Sequence, residues 1–301
     1  MSKRVLITGG SGFIGSRLTA RWLAEGHEIV ILSRRPDAVA RRWEGRVTAV
    51  SELAELEGRF DWLINLAGEG IADQRWSESR KEVLRDSRVA LTERLGRWAQ
   101  STDQQFEVVL SGSAIGYYGG FPGAQPALTE SSSAGKDFAA NLCIDWENAA
   151  ALLAERAERL VYLRTGVVLG ARQGMLARMW LPFRLGLGGP IGSGQQVISW
   201  IHIEDYCRAV DFILKSSLTG PINMTAPEPV ANARFSRQLA GAMSRPACLP
   251  MPSFVTTLVF GELSELLLKG QNVIPKVLSD EGFSWVYSDS REALEAVVRV
   301  W

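Results

Sequence analysis

Val5-Leu6-Ile7-Thr8-Gly9-Gly10-Ser11-Gly12-Phe13-Ile14-Gly15 is the stretch on which the fold turns. An apolar run closed by threonine and then glycine reads as a short strand buried on both faces, the pattern of a central parallel strand. Glycines then stand three apart, at 9, 12 and 15. Gly9 permits a tight turn out of the strand, Gly12 lets backbone come close to a ligand, and Gly15 lets the next helix pack on the strand. That helix begins near Gly12, carries Ile14, Leu18, Trp22 and Leu23 on one side, and ends at Gly26. Its free N–H groups and positive dipole end face the turn, which suits the pyrophosphate of a dinucleotide. Gly9, Gly12, Phe13, Ile14 and Gly15 are assigned to that cofactor.

Outward from this unit, strands and helices alternate. Residues 29–32, 47–50, 62–66, 106–111 and 160–165 read as further strands, with long helices over 77–100 and 137–156. Strands joined by helical crossovers predict an α/β fold, a doubly wound (Rossmann) parallel sheet, over residues 1–165. Beyond Thr165 the alternation breaks at segments such as Gly186-Leu187-Gly188-Gly189-Pro190-Ile191-Gly192. Residues 166–301 are therefore expected to form, for the most part, a smaller C-terminal substrate lobe over the carboxyl ends of the strands. The segment around 197–217 is the part expected to return to the first domain.

The residues after the second strand choose the cofactor. An acidic residue there holds the ribose hydroxyls of NAD, whereas arginine suits the 2′-phosphate of NADP. The chain has Ser33-Arg34-Arg35, so Ser33 and Arg34 are expected to select NADPH by charge-assisted hydrogen bonds. The alternative is a solvated turn before Pro36.

Lys plus Arg and Asp plus Glu both number 33, so no global field recruits nucleic acid or an anionic membrane; small neutral or anionic molecules are the expected partners. Cys143, Cys207 and Cys248 are odd in number and without ligand spacing, which excludes a disulfide framework and a metal site and fits a reducing cytoplasm. The apolar stretch after Lys3 and Arg4 is too short for a signal peptide, and none elsewhere is long enough to span a bilayer.

Further motifs continue the pattern: Asn65-Leu66-Ala67-Gly68 at the fourth strand, Ser111 and Ser113 before Tyr118-Gly119 at the fifth, Leu163-Arg164-Thr165-Gly166-Val167-Val168-Leu169-Gly170 at the sixth, and Trp200-Ile201-His202-Ile203-Glu204-Asp205 beyond. With residues 8–15, these make the chain resemble the extended short-chain dehydrogenase/reductases of the NAD-dependent epimerase/dehydratase type along nearly its whole length. Residues 65–76 and 182–194 resemble the atypical branch known as "epimerase family" proteins. The resemblance implies that Leu66, Ala67 and Gly68 floor the cofactor site and that backbone near Val167 approaches the nicotinamide; core packing explains the apolar positions as well.

The superfamily's acid/base tyrosine works with a lysine four residues on, whose charge lowers the tyrosine pKa. None of Tyr117, Tyr118, Tyr162, Tyr206 and Tyr287 has that lysine. Registering the second long helix on Glu147 puts Ala139 in the tyrosine's place and Cys143 in the lysine's; Arg88 stands for the usual helix asparagine, and Ser113 keeps the serine. The proton partner is then Tyr117 or Tyr118, near a cation such as Arg88 or Lys136, or else a bound water or the substrate itself, each tyrosine then capping a loop. Arg88 binds a cofactor or substrate phosphate, or lies on a solvated helix face. Cys143 reads as a small core residue before a nucleophile, His202 as a structural hydrogen-bonding residue before a catalyst, and Trp62, Trp98 and Trp146 as core. Arg172, Arg178 and Arg184 are candidates for an anionic substrate group.

The expectation is an NADPH-binding, oxidoreductase or epimerase-like enzyme, monomeric or homodimeric, acting on a small molecule. Two alternatives stand beside it: a non-catalytic NADPH-binding sensor, and a nucleotide-sugar epimerase with tightly bound NAD.

Overall fold

A computed structural model describes residues 2–301. The first strand is Arg4–Thr8 (β1), where Val5, Leu6 and Ile7 are fully buried. Glu28–Leu32 (β2), Thr48–Val50 (β3), Trp62–Asn65 (β4), Phe106–Ala114 (β5) and Ala157–Thr165 (β6) follow in the expected order. Val167–Leu169 (β7), Val197–Ile198 (β8), Trp200–His202 (β9) and Val230–Ala231 (β11) pair away from the main sheet, but Gly220–Met224 (β10) joins it. The result is a seven-stranded parallel sheet in the order β10-β6-β5-β4-β1-β2-β3. Strand order reverses between β1 and β4, and the crevice at their carboxyl ends is where such sheets hold ligands.

β10 escapes a reading of periodicity because Pro221 and Asn223 interrupt it. At the sheet edge a proline costs no ladder bond, and the amide of Asn223 is satisfied within the fold by Tyr118 and the Ile274 carbonyl.

The helices are Phe13–Ala24 (α1), Pro36–Arg42 (α2), Glu78–Arg85 (α3), Leu91–Ser101 (α4), Phe138–Ala150 (α5), Gly174–Arg184 (α6), Ile203–Lys215 (α7), Asn232–Ala242 (α8), Ser253–Phe260 (α9), Ser264–Leu268 (α10), Lys276–Asp280 (α11) and Ser290–Arg299 (α12). The single helix read over 77–100 is two, joined by a π turn at Asp86–Ala90. One extra residue per turn re-aims the side chains there, as π turns at functional sites do. The helix read to 156 is α-helical only to Ala150 and tightens into a 3₁₀ turn at Ala151–Arg156.

Side-chain alternation splits the sheet into two faces. Val5, Ile7, Ile31, Ile64 and Leu163 pack with Leu18 and Trp22 of α1 and Tyr206, Val210 and Ile213 of α7. Leu6, Val30, Leu63 and Val109 meet Leu95, Trp98 and Ala99 of α4 on the other side. A third core, built from Leu176 and Phe183 of α6, Phe235 and Leu239 of α8, and Leu294 and Val297 of α12, lies apart from the two faces. Among the described residues no helix is long and apolar enough to cross a membrane, and no group of three or more His, Cys, Asp or Glu could hold a metal.

Candidate cofactor crevice and catalytic rim

Gly9 has φ +73, and a Cβ there would sit 2.7 Å from the Leu66 carbonyl carbon. A Cβ on Gly15 would collide with the Gly9 carbonyl oxygen. Gly12 N–H donates to the Gly9 carbonyl at 2.9 Å and closes the turn. No side chain caps α1, so its first-turn N–H groups are left for a ligand. These features fit a dinucleotide: the cradle is one that any side chain would fill. Phe13 and Ile14 are half-buried, and a Cβ on Gly170 would lie 2.6 Å from the Phe13 ring, so that ring locks the start of α1 against the segment after β7.

The floor is a chain of buried hydrogen bonds. Thr8 Oγ1 donates to Asn65 Oδ1 at 2.7 Å and accepts from the Ala67 N–H at 3.1 Å, while Leu66 N–H donates to the Thr8 carbonyl. Asn65 Nδ2 and Trp146 Nε1 both donate to Thr92 Oγ1, at 2.8 and 3.1 Å. The Leu66–Ala67 backbone is thus fixed from below. Gly68 follows against Arg88: a Cβ there would sit 3.0 Å from the guanidinium carbon.

Arg34 is largely exposed at the end of β2 and pairs with Glu69 at 2.8 Å across the crevice mouth. Ser33 Oγ accepts from the Arg35 N–H at 3.2 Å. Sequence reading overlooked Arg42: from α2 it donates to the Ser11 carbonyl at 3.0 Å, inside the glycine turn. Pro36 at the start of α2 and arginines in its last turn were the available signal.

Arg88 is neither an open phosphate ligand nor a solvated surface residue here. Its guanidinium donates to the carbonyls of Glu69 at 2.8 Å and Leu84 at 3.1 Å and to Ser87 Oγ at 3.3 Å, with Trp146 beneath it. Burial lowers its pKa. It braces the loop after β4.

Around the carboxyl ends of β5 and β6 one buried network absorbs most of the catalytic candidates. Ser113 Oγ donates to Glu147 Oε1 at 2.6 Å. Arg164 of β6 donates to both carboxylate oxygens of Glu147 at 2.9 Å each, and to the Tyr118 hydroxyl at 3.0 Å. Tyr118 in turn donates to Asn223 Oδ1 at 2.7 Å. Burial opposes the Arg164 charge, but the hydrogen bonds and charge of Glu147 carry its pKa upward. Burial raises the Tyr118 pKa, and at 2% exposure that hydroxyl has no path to a substrate. Ser113 and Tyr118 are therefore held inside the fold, and the cation beside the tyrosine pair is Arg164, not Arg88 or Lys136. Glu147, Arg164 and Asn223 are the residues sequence reading passed over as partners. An arginine amid the apolar residues of a central strand was the signal, since a buried guanidinium demands a carboxylate.

Tyr117 stands apart. It is half-buried, its ring lies 3.5 Å from the Arg164 guanidinium carbon, and its hydroxyl has no hydrogen-bond partner among the described residues. Burial pushes the Cys143 thiol up to about 12, so it is no nucleophile at neutral pH. Ala139 and Cys143 are both buried, and they lie beside Gly116. Val167 N–H is bonded to the Ser199 carbonyl at 2.9 Å as β7 pairs with β9. His202 caps α7: its Nδ1 accepts from the Glu204 N–H, and burial pushes its pKa down to about 4. Arg172 is bonded to the Trp301 carbonyl and Arg178 to Asp73, while Arg184 is exposed.

The NAD dependent epimerase/dehydratase family model matches residues 5–224, and the Domain of unknown function (DUF1731) matches residues 251–297. Epimerase family protein SDR39U1 of Mus musculus is 41% identical over 306 residues, covering 98% of this chain and 99% of that protein. Epimerase family protein Mb2239 of Mycobacterium bovis is 40% identical over 294 residues, 96% of each chain. The crystal structure of human epimerase family protein SDR39U1 (isoform 2) with NADPH superimposes with a TM-score of 0.89 at 36% identity, over 99% of this chain and 100% of that one.

Proposed function

The chain belongs to the NAD dependent epimerase/dehydratase family, and from that premise we propose that it is an NADPH-dependent oxidoreductase acting on a small molecule. The observation that carries this reading is the uncapped, side-chain-free turn at Gly9, Gly12 and Gly15, with Arg34 at the end of β2 where NAD-specific chains carry an acid. When bound, the nicotinamide supplies hydride exchange at its C4 position. This chain's residues do the rest. The α1 N-terminus would hold the pyrophosphate; Arg34, released from Glu69, would take the 2′-phosphate; Leu66, Ala67 and Gly68 would floor the site, and backbone near Val167 would meet the nicotinamide. We assign the proton to Tyr117, because its hydroxyl alone among Ser113, Tyr117 and Tyr118 is not spent on a buried partner. The cofactor falls to residues 1–165 and the substrate to a lobe drawn mostly from 166–301. NADPH co-crystallised with SDR39U1 supports the cofactor choice.

Ala139 and Cys143 favour a second reading, a non-catalytic NADPH-binding protein, since the usual pair is replaced by groups that exchange no proton near neutral pH. Thermal shift with NADPH and NADH tests what the two readings share: NADPH should stabilise the protein more, and equal stabilisation by both would sink the assignment of Arg34. Oxidation of NADPH across a panel of carbonyl substrates separates them. Turnover that falls by about a hundredfold to ten-thousandfold in Tyr117→Phe supports the enzyme, in the range expected for loss of a general acid; no turnover with any substrate supports the binder. NAD retained through purification would instead favour a nucleotide-sugar epimerase.

A further inference from the structure

Zero net charge conceals an asymmetry. From Gly174 to Ile203 and from Pro229 to Gly261 the chain carries five arginines (Arg178, Arg184, Arg234, Arg237 and Arg245) and not one Asp or Glu. Eight large apolar side chains exposed to solvent lie in these same two segments: Leu181, Leu185 and Leu187 in the first, Leu249, Met251, Phe254, Leu258 and Val259 in the second. Phe254 and Leu258 are 73% and 76% exposed, one helical turn apart on α9. Leu181 and Leu185 share the outer side of α6, whose Leu176 and Phe183 face the core.

The two segments are tied together. Arg245 Nε donates to the Arg184 carbonyl at 2.9 Å, Met251 N–H to the Pro190 carbonyl at 2.9 Å, and Gly192 N–H to the Met251 carbonyl at 2.8 Å. Arg184 and Arg245 form no ion pair with a carboxylate among the described residues, while Arg178 is matched by Asp73 and Arg234 by Asp289. The patch reaches the loop after β4, because Arg75 donates to the Leu258 carbonyl of α9. Exposed apolar side chains gathered on segments tied together in this way mark interaction surfaces.

We propose that this face of α6, α9 and the segment before α9 docks on an anionic lipid bilayer, the apolar side chains entering the headgroup boundary and Arg184 and Arg245 meeting lipid phosphates. Charge decides the occupant. Arg184 and Arg245 have no carboxylate partner among the described residues, whereas the acids bordering this face, Asp73, Glu262 and Glu265, are already paired with Arg178, Lys81 and Lys269; anionic headgroups supply the missing sign. The interaction is independent of the cofactor reading and needs no spanning helix.

Co-sedimentation of the whole protein with phosphatidylcholine vesicles, with and without phosphatidylglycerol, tests this. Binding should require phosphatidylglycerol and weaken as salt is raised. Arg184→Glu with Arg245→Glu should lower partitioning by at least about tenfold. Phe254→Asp with Leu258→Asp should abolish it while leaving the melting temperature unchanged, since both side chains are already in water. Equal binding to neutral vesicles, or no binding to either, overturns the proposal. So does a concentration-dependent dimer in sedimentation velocity that the Phe254→Asp/Leu258→Asp variant disperses, which would make a second copy the occupant.

Discussion

Arg164 is 4% exposed inside β6, and Glu147 takes two of its N–H groups in a forked pair. The pair carries its weight as a unit, because removing one partner strands a charge in a low-dielectric setting. Glu147→Gln, which keeps the shape and discards the charge, should cost about 3–5 kcal/mol in urea unfolding, and Arg164→Met with Glu147→Leu should recover most of it. A Glu147→Gln variant as stable as the parent would refute a charge role for the pair. His202 makes a second residue-scale test. Burial is the main cause of its fall from 6.5 to about 4, with Arg17 adding to it and Glu204 opposing, while Tyr287 lies 4.1 Å away ring to ring. Between those two values the unfolded chain binds a proton that the folded chain refuses, so stability is complete above 6.5 and is lost as pH falls toward 4. His202→Asn keeps an N-cap acceptor. It should flatten this dependence by up to roughly 3 kcal/mol, read from urea midpoints at successive pH values.

At the scale of elements, α5 buries the two positions where the usual catalytic pair would stand, Ala139 at 6% exposure and Cys143 at 5%. A phenol at position 139 adds bulk to packed space, so Ala139→Tyr should cost about 1–3 kcal/mol by overpacking and confer no turnover of carbonyl substrates. A variant that melts with the parent and gains activity would show the space to be open. The same elements show what sequence can and cannot reveal. The glycine turn, β1 and α1 were legible because they are written in residues close together in the chain. Tyr118 was not: its partners Arg164 and Asn223 come 46 and 105 residues later, and only the packed sheet puts them on its hydroxyl. The π turn escaped for a similar reason. Nothing in the local pattern of 77–100 shows that Arg88 must reach the Glu69 carbonyl, whereas the apolar repeat that makes α3 and α4 helical is visible at a glance.

For the whole molecule the decisive fact is that the sheet is not finished by the first half of the chain. β6 pairs with β10 along Gly220–Met224, and Ile222 and Met224 are fully buried. α7 covers one face of the sheet with Tyr206, Val210 and Ile213, and its Asp211 accepts from Trp22 Nε1 of α1 at 2.9 Å. A fragment of residues 1–165 therefore loses an edge strand, one helix over the central strands and the acceptor for Tyr118, and bares Leu18, Trp22 and Leu163 to water. Each fully exposed apolar side chain of that kind forfeits about 1.5–3 kcal/mol, and the three together are comparable with the roughly 5–15 kcal/mol that holds an ordinary domain. The fragment should bind a hydrophobic dye, show poorly dispersed amide resonances and fail to retain NADPH, while the full chain unfolds in one calorimetric transition. A fragment that instead melts cooperatively and binds NADPH as the full chain does would mean that the Rossmann half is autonomous and that β10 and α7 only dock on it.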